Sequence, residues 1–400
     1  MNRARPADRS RRVRGICRTA ATVLWLFLLG GCAGLASKAA VPPAFDPTLV
    51  SGERLFGAPL SDDEIPQVGV LDVDADMRDF VAAAIRPNTM PTTRFHDLLQ
   101  GMADEGLTGP DYSADRTLTA AETYRSRSAN CLSYTNLFVA LARQAGLDAD
   151  YQVVDVPPEW DAQSGFLIRY THINVRVRNV RLAEYYENQV TVDFYEVHPA
   201  PYYRRRIVSD AYAASLYYAN LAVALLRAND ARGAFGHLRR AINMAPENED
   251  LWINLGALYA MKGDYASSVD AYEVALQVDP DSRAAMSGLA RSHGKAGHTE
   301  LAEFYRQRVD DYLERNPYYY YAIARTAIAE EAYSESLAAI DRAIELNGRD
   351  GRFYFLKGLA EQGLGRLDAA RSSFQRAKRV GLHSEAKLDY IRSLVGYNSH

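Results

Sequence analysis

Cysteine is nearly missing from this chain: only Cys17, Cys32 and Cys131 occur in 400 residues. That excludes a disulfide framework as the source of stability. Long hydrophobic runs are missing too. The most apolar stretch, near the start, is too short for a comfortable bilayer crossing. No glycine-rich phosphate loop, dinucleotide glycine fingerprint or Cys/His spacing for zinc is present, so no motif calls for a cofactor or a metal. Nor is there an excess of positive charge. Lys and Arg number 46 against 50 Asp and Glu, for a net charge of −4. A chain balanced this way is not built to bind nucleic acid.

What is present begins with a basic leader, MNRARPADRSRRVRGICRTA, followed by the short apolar run ATVLWLFLLGGC. A basic region, an apolar core and small residues before a cut make a secretory signal over residues 1–31. The alternative is an uncleaved N-terminal anchor helix. The sequence Leu29-Gly30-Gly31-Cys32 resembles the bacterial lipobox. That resemblance implies cleavage before Cys32, with lipid on its sulfur and on its new amine, and hence a firm membrane anchor. Ala33 in place of Asp implies sorting to the outer membrane, facing the periplasm. Residues 1–31 carry seven Arg and Asp8, net +6, so removing them from a chain of −4 leaves −10. With Cys17 removed and Cys32 lipidated, Cys131 becomes the one thiol of the mature chain. A lone thiol in a compartment that oxidises pairs points to a working residue. Residues 32–70, with Pro42, Pro43, Pro47 and Pro59, read as a tether. Helices follow around 76–85 and 92–105 and are assigned to packing.

The stretch SANCLSYTNLFVALARQAG, residues 128–146, organises the middle of the chain. Tyr134, Leu137, Phe138, Leu141 and Ala145 recur at helical spacing and predict one buried face. Ser128 or Asn130 caps its start and Gly146 ends it. Cys131 therefore sits in the first turn, where free N–H groups and the helix dipole favour thiolate. Beyond Gly146 the period changes. A strand is predicted over 151–156, then a loop bounded by Pro157, Pro158 and Gly165 that contains Trp160. An alternating strand over 166–178 carries His172, Asn174 and Arg176 on its polar face. The next strand, 189–195, carries Asp193 on its own polar face. Paired antiparallel, the two strands bring His172 and Asp193 together. Cys131 as nucleophile, His172 as base and Asp193 as orienter supply the three roles of acyl transfer. These three groups need no cofactor. Glu196 is the weaker third member because it lies on the opposite face.

From about Thr117 to His198 the chain resembles the transglutaminase-like superfamily, which has a papain-like fold. The resemblance rests on NCLSYTNLFVALARQAGLDA, on THINV around His172 and on VTVDF around Asp193. It implies the same triad, thioester chemistry, and either hydrolysis or transfer to an amine. The backbone N–H of Cys131 is one oxyanion donor. Trp160 either lines the substrate cleft or packs. Ala129, Leu132 and the pair Phe194-Tyr195 depart from common patterns beside the family's Cys and Asp, which bears on the substrate.

From Ser215 the chain repeats every 34 residues, five times, to Ser384. Small residues recur at Ala222, Gly256, Ala290, Ala324 and Gly358, and again at Ala234, Ser268, Ala302, Ser336 and Ala370. Such spacing gives helix hairpins in which small residues permit close approach and an aromatic fills the gap. The second unit reads W-x2-L-G-x2-Y, with Ala275 and Pro280 later, and resembles the tetratricopeptide repeat. The third and fourth units are weaker, with His293 and Arg306 at usually apolar positions. Residues 385–400 read as a capping helix.

The expected architecture is therefore an α+β papain-like, transglutaminase-like domain over 71–208 and an all-α tetratricopeptide solenoid over 209–384. The expected function is an envelope-anchored cysteine protease or amidase whose repeats recruit a protein or peptide. The alternatives are an inactive scaffold for assembly and an amine acyltransferase that forms crosslinks.

Overall fold

The computed structural model describes residues 43–107, 111–113, 116–154, 159–161, 166–168, 172–181, 188–194 and 204–380. The signal segment, Cys32 and the capping helix expected over 385–400 lie outside these residues. Among the described residues, no helix is long and apolar enough to cross a membrane.

The first part runs through α1 (Glu53–Phe56), α2 (Ala75–Ala84), α3 (Pro91–Asp104), β1 (Asp111–Tyr112), α4 (Ala120–Ser126), β2 (Ser128–Ala129) and α5 (Cys131–Gln144). Strands follow: β3 (Asp148–Val154), β4 (Glu159–Asp161), β5 (Phe166–Ile168), β6 (His172–Arg178), β7 (Gln189–Val192) and β8 (Arg205–Val208). Helix α5 forms where its spacing predicts. Of the two candidate caps the structure uses Asn130, whose Oδ1 accepts from the Ser133 N–H at 3.0 Å. Gly146 leaves the helix with φ +71°, a left-handed stop.

One expectation for α5 was too narrow. It is buried on every side from Leu132 to Ala142, not on one face. Several of its polar groups find partners there. Ser133 Oγ accepts from the Leu118 N–H at 2.8 Å, Thr135 Oγ1 donates to the Cys131 carbonyl at 2.8 Å, and Asn136 Oδ1 accepts from the Tyr151 hydroxyl at 2.7 Å. Met77 and Val81 of α2, Phe95, Leu98 and Met102 of α3, and Ile173, Val175 and Val177 of β6 join its core.

The main sheet has the order β7-β6-β3-β8 and is antiparallel throughout. Val154 lies opposite His172, and Val175 opposite Val192. The alternating stretch 166–178 divides into two strands. β5 pairs with β4 as a separate hairpin, so Trp160 lies opposite Leu167 in a strand and not in a loop. Arg205 and Arg206 belong to edge strand β8.

Five helix pairs follow: α6 (Asp210–Arg227) with α7 (Ala231–Met244), α8 (Glu249–Met261) with α9 (Tyr265–Val278), and α10 (Arg283–Lys295) with α11 (Thr299–Leu313). The last two are α12 (Pro317–Ala329) with α13 (Tyr333–Leu346), and α14 (Gly351–Gly363) with α15 (Leu367–Val380). The small residues act as their spacing implies. A Cβ on Gly256 would meet the Tyr272 ring at 2.8 Å, and one on Gly358 would meet Phe374 at 2.5 Å. Arg306 stands 34 residues beyond Tyr272, where the gap-filling aromatic belongs. The core divides there. One buried cluster runs from Leu49 to Leu289, a small one of Met286, Val309 and Leu313 lies on α10 and α11, and a third holds Tyr321, Ile340, Phe353 and Leu356. The β4–β5 hairpin lies against α12 and α10, on either side of this division.

The described part of the expected tether, residues 43–70, does not hang free but packs on the repeats. Phe45 meets Trp252 with ring centroids 4.7 Å apart, and Phe56 meets Phe235 at 5.7 Å. The carbonyl of Leu49 accepts from Tyr259 at 2.7 Å and that of Leu60 from Arg239 at 3.0 Å. Arg54 pairs with Asp270 at 2.6 Å. Prolines keep this segment from forming its own ladder, which leaves its carbonyls to side chains of the repeats.

Candidate active site

The site grows from two adjoining strand ends and one helix start. β6 opens with His172, and Asp193 directly follows β7. The antiparallel register that sets Val175 against Val192 carries on to place Asn174 beside Asp193. His172 Nε2 lies 2.7 Å from Asp193 Oδ2, and both side chains are at least nine-tenths buried. Asn174 Nδ2 donates to the same oxygen at 3.0 Å. A buried carboxylate held by two groups fixes the ring that faces it.

Helix α5, which Cys131 opens, packs beside this pair. Phe194, next to Asp193, packs its ring on Tyr134 at 6.0 Å and Phe138 at 5.8 Å, both on that helix. The helix start is itself clamped, since the Asn130 N–H donates to the Arg116 carbonyl at 3.0 Å and its Nδ2 to Thr117 Oγ1 at 2.7 Å. The expected acidity of Cys131 is not what the structure shows. Burial pushes its thiol above the ordinary range, and the Asp193 charge adds to the rise. The backbone N–H groups of Leu132 and Cys131 act the other way, as a helix start should, but burial outweighs them.

Asn174 sits two residues from His172 and so shares its side of the strand, but its spacing alone assigns it no role. Its Oδ1, the Gln152 Oε1 and the Arg176 Nε are buried without hydrogen-bond partners. Glu196 lies outside the described residues, as does the Trp160 side chain on which a cleft role depends. Among the described residues, no group of three or more His, Cys, Asp or Glu converges to hold a metal ion.

Residues 78–180 match the family model of the transglutaminase-like superfamily. Residues 249–282 and 321–381 match tetratricopeptide repeat models. The chain thus carries a transglutaminase-like domain followed by tetratricopeptide repeats. Among curated proteins it is similar to the TPR repeat-containing protein MJ1428 of Methanocaldococcus jannaschii, 25% identical over 50% of this chain and 31% of that protein. It also resembles the human protein O-mannosyl-transferase TMTC1, 38% identical over 14% of this chain and 7% of that one. The chain therefore spans a third or less of the length of these relatives. Among solved structures, MamA covers 42% of this chain and 91% of its own at 19% identity, with a TM-score of 0.24. YrrB, described as a TPR protein with an unusual peptide-binding site, covers 44% and 92% at 17% identity, with a TM-score of 0.24.

Proposed function

We propose that this protein is a cysteine hydrolase of the cell envelope, a protease or amidase, whose repeats recruit its substrate or partner. The observation that carries the reading is the buried His172–Asp193 pair at 2.7 Å, beside the helix that Cys131 opens. With Nε2 held by the carboxylate, Nδ1 is the ring nitrogen that serves the thiol. It takes the Sγ proton as sulfur attacks the substrate carbonyl carbon. The resulting oxyanion is met by backbone N–H groups at the start of α5. His172 then returns the proton to the leaving amine and a thioester remains. Water activated by the same ring cleaves it, releasing the acid and restoring the thiol. The leader and Cys32 support a lipid anchor that holds this chemistry at the outer membrane, on the periplasmic side.

The test is labelling of envelope fractions with a thiol-directed activity probe. Labelling is expected for the parent and lost in both Cys131→Ala and His172→Ala. Equal labelling of the parent and His172→Ala would refute the triad. One observation favours the scaffold reading, namely the burial that keeps the Cys131 thiol protonated. A cellular role that survives Cys131→Ala intact decides for it.

A further inference from the structure

Where the repeat core divides, α10 and α11 border an open, solvent-facing pocket of about 380 Å³ lined by Arg283, Arg308, Asp311, Tyr312 and Arg315. Three guanidinium groups therefore stand beside two carboxylates, Asp311 in the lining and Asp281 against Arg283, on a chain whose net charge is negative. Arg283 is held in place without being neutralised at close range. Its guanidinium lies 4.8 Å from the centroid of the Tyr312 ring, and its Nη1 is 3.4 Å from the Met286 sulfur. Its nearest carboxylate contact, to Asp281, is long at 3.5 Å, and its Nε is buried with no hydrogen-bond partner. The volume lies within the ordinary range of ligand pockets, roughly 300–1,000 Å³.

We propose that this pocket binds the carboxylates of an acidic peptide segment. Arg308 lies on α11 and Arg315 in the turn that follows it, since the helix ends at Leu313. Guanidinium groups that stand apart on one surface are matched one by one by the side-chain carboxylates of a peptide. Arg283 and Tyr312 line the same surface. Guanidinium groups suit carboxylates because they bind them through paired N–H donors. This site gives the recruitment role of the repeats a chemical class of partner. It rests on that part of the proposed function and not on the triad.

The test uses the whole chain carrying Cys131→Ala, with fluorescence anisotropy of a short labelled peptide rich in glutamate at low salt. Saturable binding is expected, with about tenfold weakening for each of Arg308→Gln and Arg315→Gln. Both arginines are exposed, so neither change threatens the fold. Arg283→Gln is expected to weaken binding further, with circular dichroism confirming an intact helix content. A glutamine-for-glutamate peptide is expected not to bind. Unchanged affinity in both exposed-arginine variants, or equal binding of the neutral peptide, overturns the proposal. So does inorganic phosphate that binds more tightly than the peptide and is lost with the same substitutions, which makes the pocket a phosphate site. Because Cys131 is absent throughout, failure here leaves the hydrolase reading standing, and loss of probe labelling leaves this one standing.

Discussion

A carboxylate beside a cysteine and a histidine has opposite effects on the two. Asp193 orients the His172 ring, yet its charge raises the Cys131 thiol. Asp193→Asn separates these effects. It removes a negative charge near the sulfur, so the alkylation rate of Cys131 by iodoacetamide is expected to reach its midpoint at lower pH. Hydrolysis is expected to fall by orders of magnitude, since the ring loses its orienting partner. A variant that is both slower and less acidic at sulfur would refute this division of roles. Asn174 belongs to the same scale, because it donates to the oxygen that holds His172. Its residue type and position are plain in the sequence, but its partner depends on the register of β6 with β7.

At the scale of elements, the N-terminal segment and the repeat hairpins depend on close approach. Tyr259 donates to the Leu49 carbonyl at 2.7 Å and thereby ties residues 43–70 to α8. Tyr259→Phe keeps the ring but leaves that carbonyl unpaired. The expected cost is about 1–2 kcal/mol, read by chemical denaturation, with faster amide exchange in residues 47–56. Gly288 approaches the Tyr272 ring so closely that a Cβ would lie 2.3 Å from it. Gly288→Ala is expected to destabilise by about 1–3 kcal/mol through overpacking, although alanine is the better helix former. If Gly288→Ala is neutral or stabilising in the same measurement, the close approach of α10 to the Tyr272 ring is refuted.

Across the whole molecule, the division of the core has a thermodynamic consequence. Tyr321, Ile340, Phe353 and Leu356 form a cluster apart from the one that joins the sheet, α5 and the first repeats. Repeat arrays hold together through neighbour interfaces, and a weak interface uncouples what lies on either side. Two unfolding transitions are therefore expected in calorimetry. Phe353 is fully buried, and Phe353→Ala is expected to cost about 3–5 kcal/mol, lowering one transition and leaving the other in place. A single transition that moves as a unit would contradict the division. The acidic-peptide site stands at this boundary, so its ligand is expected to raise the midpoint of the transition that includes α10 and α11.

The sequence by itself determined everything that depends on neighbours along the chain. Helix α5 with its glycine stop, the alternation of β6 and β7, and the 34-residue step of the repeats are all local patterns of spacing, and spacing is written in the chain. Tertiary structure alone decided what depends on burial. The apolar spacing of α5 pointed to one covered face, but all its faces are covered, and several of its polar groups found partners there. The prolines of 43–70 read as a tether, but those residues gave their carbonyls to the repeats. The helix start favoured an acidic Cys131, but burial around it reversed the balance. Desolvation comes from residues distant in sequence, and no local pattern records it.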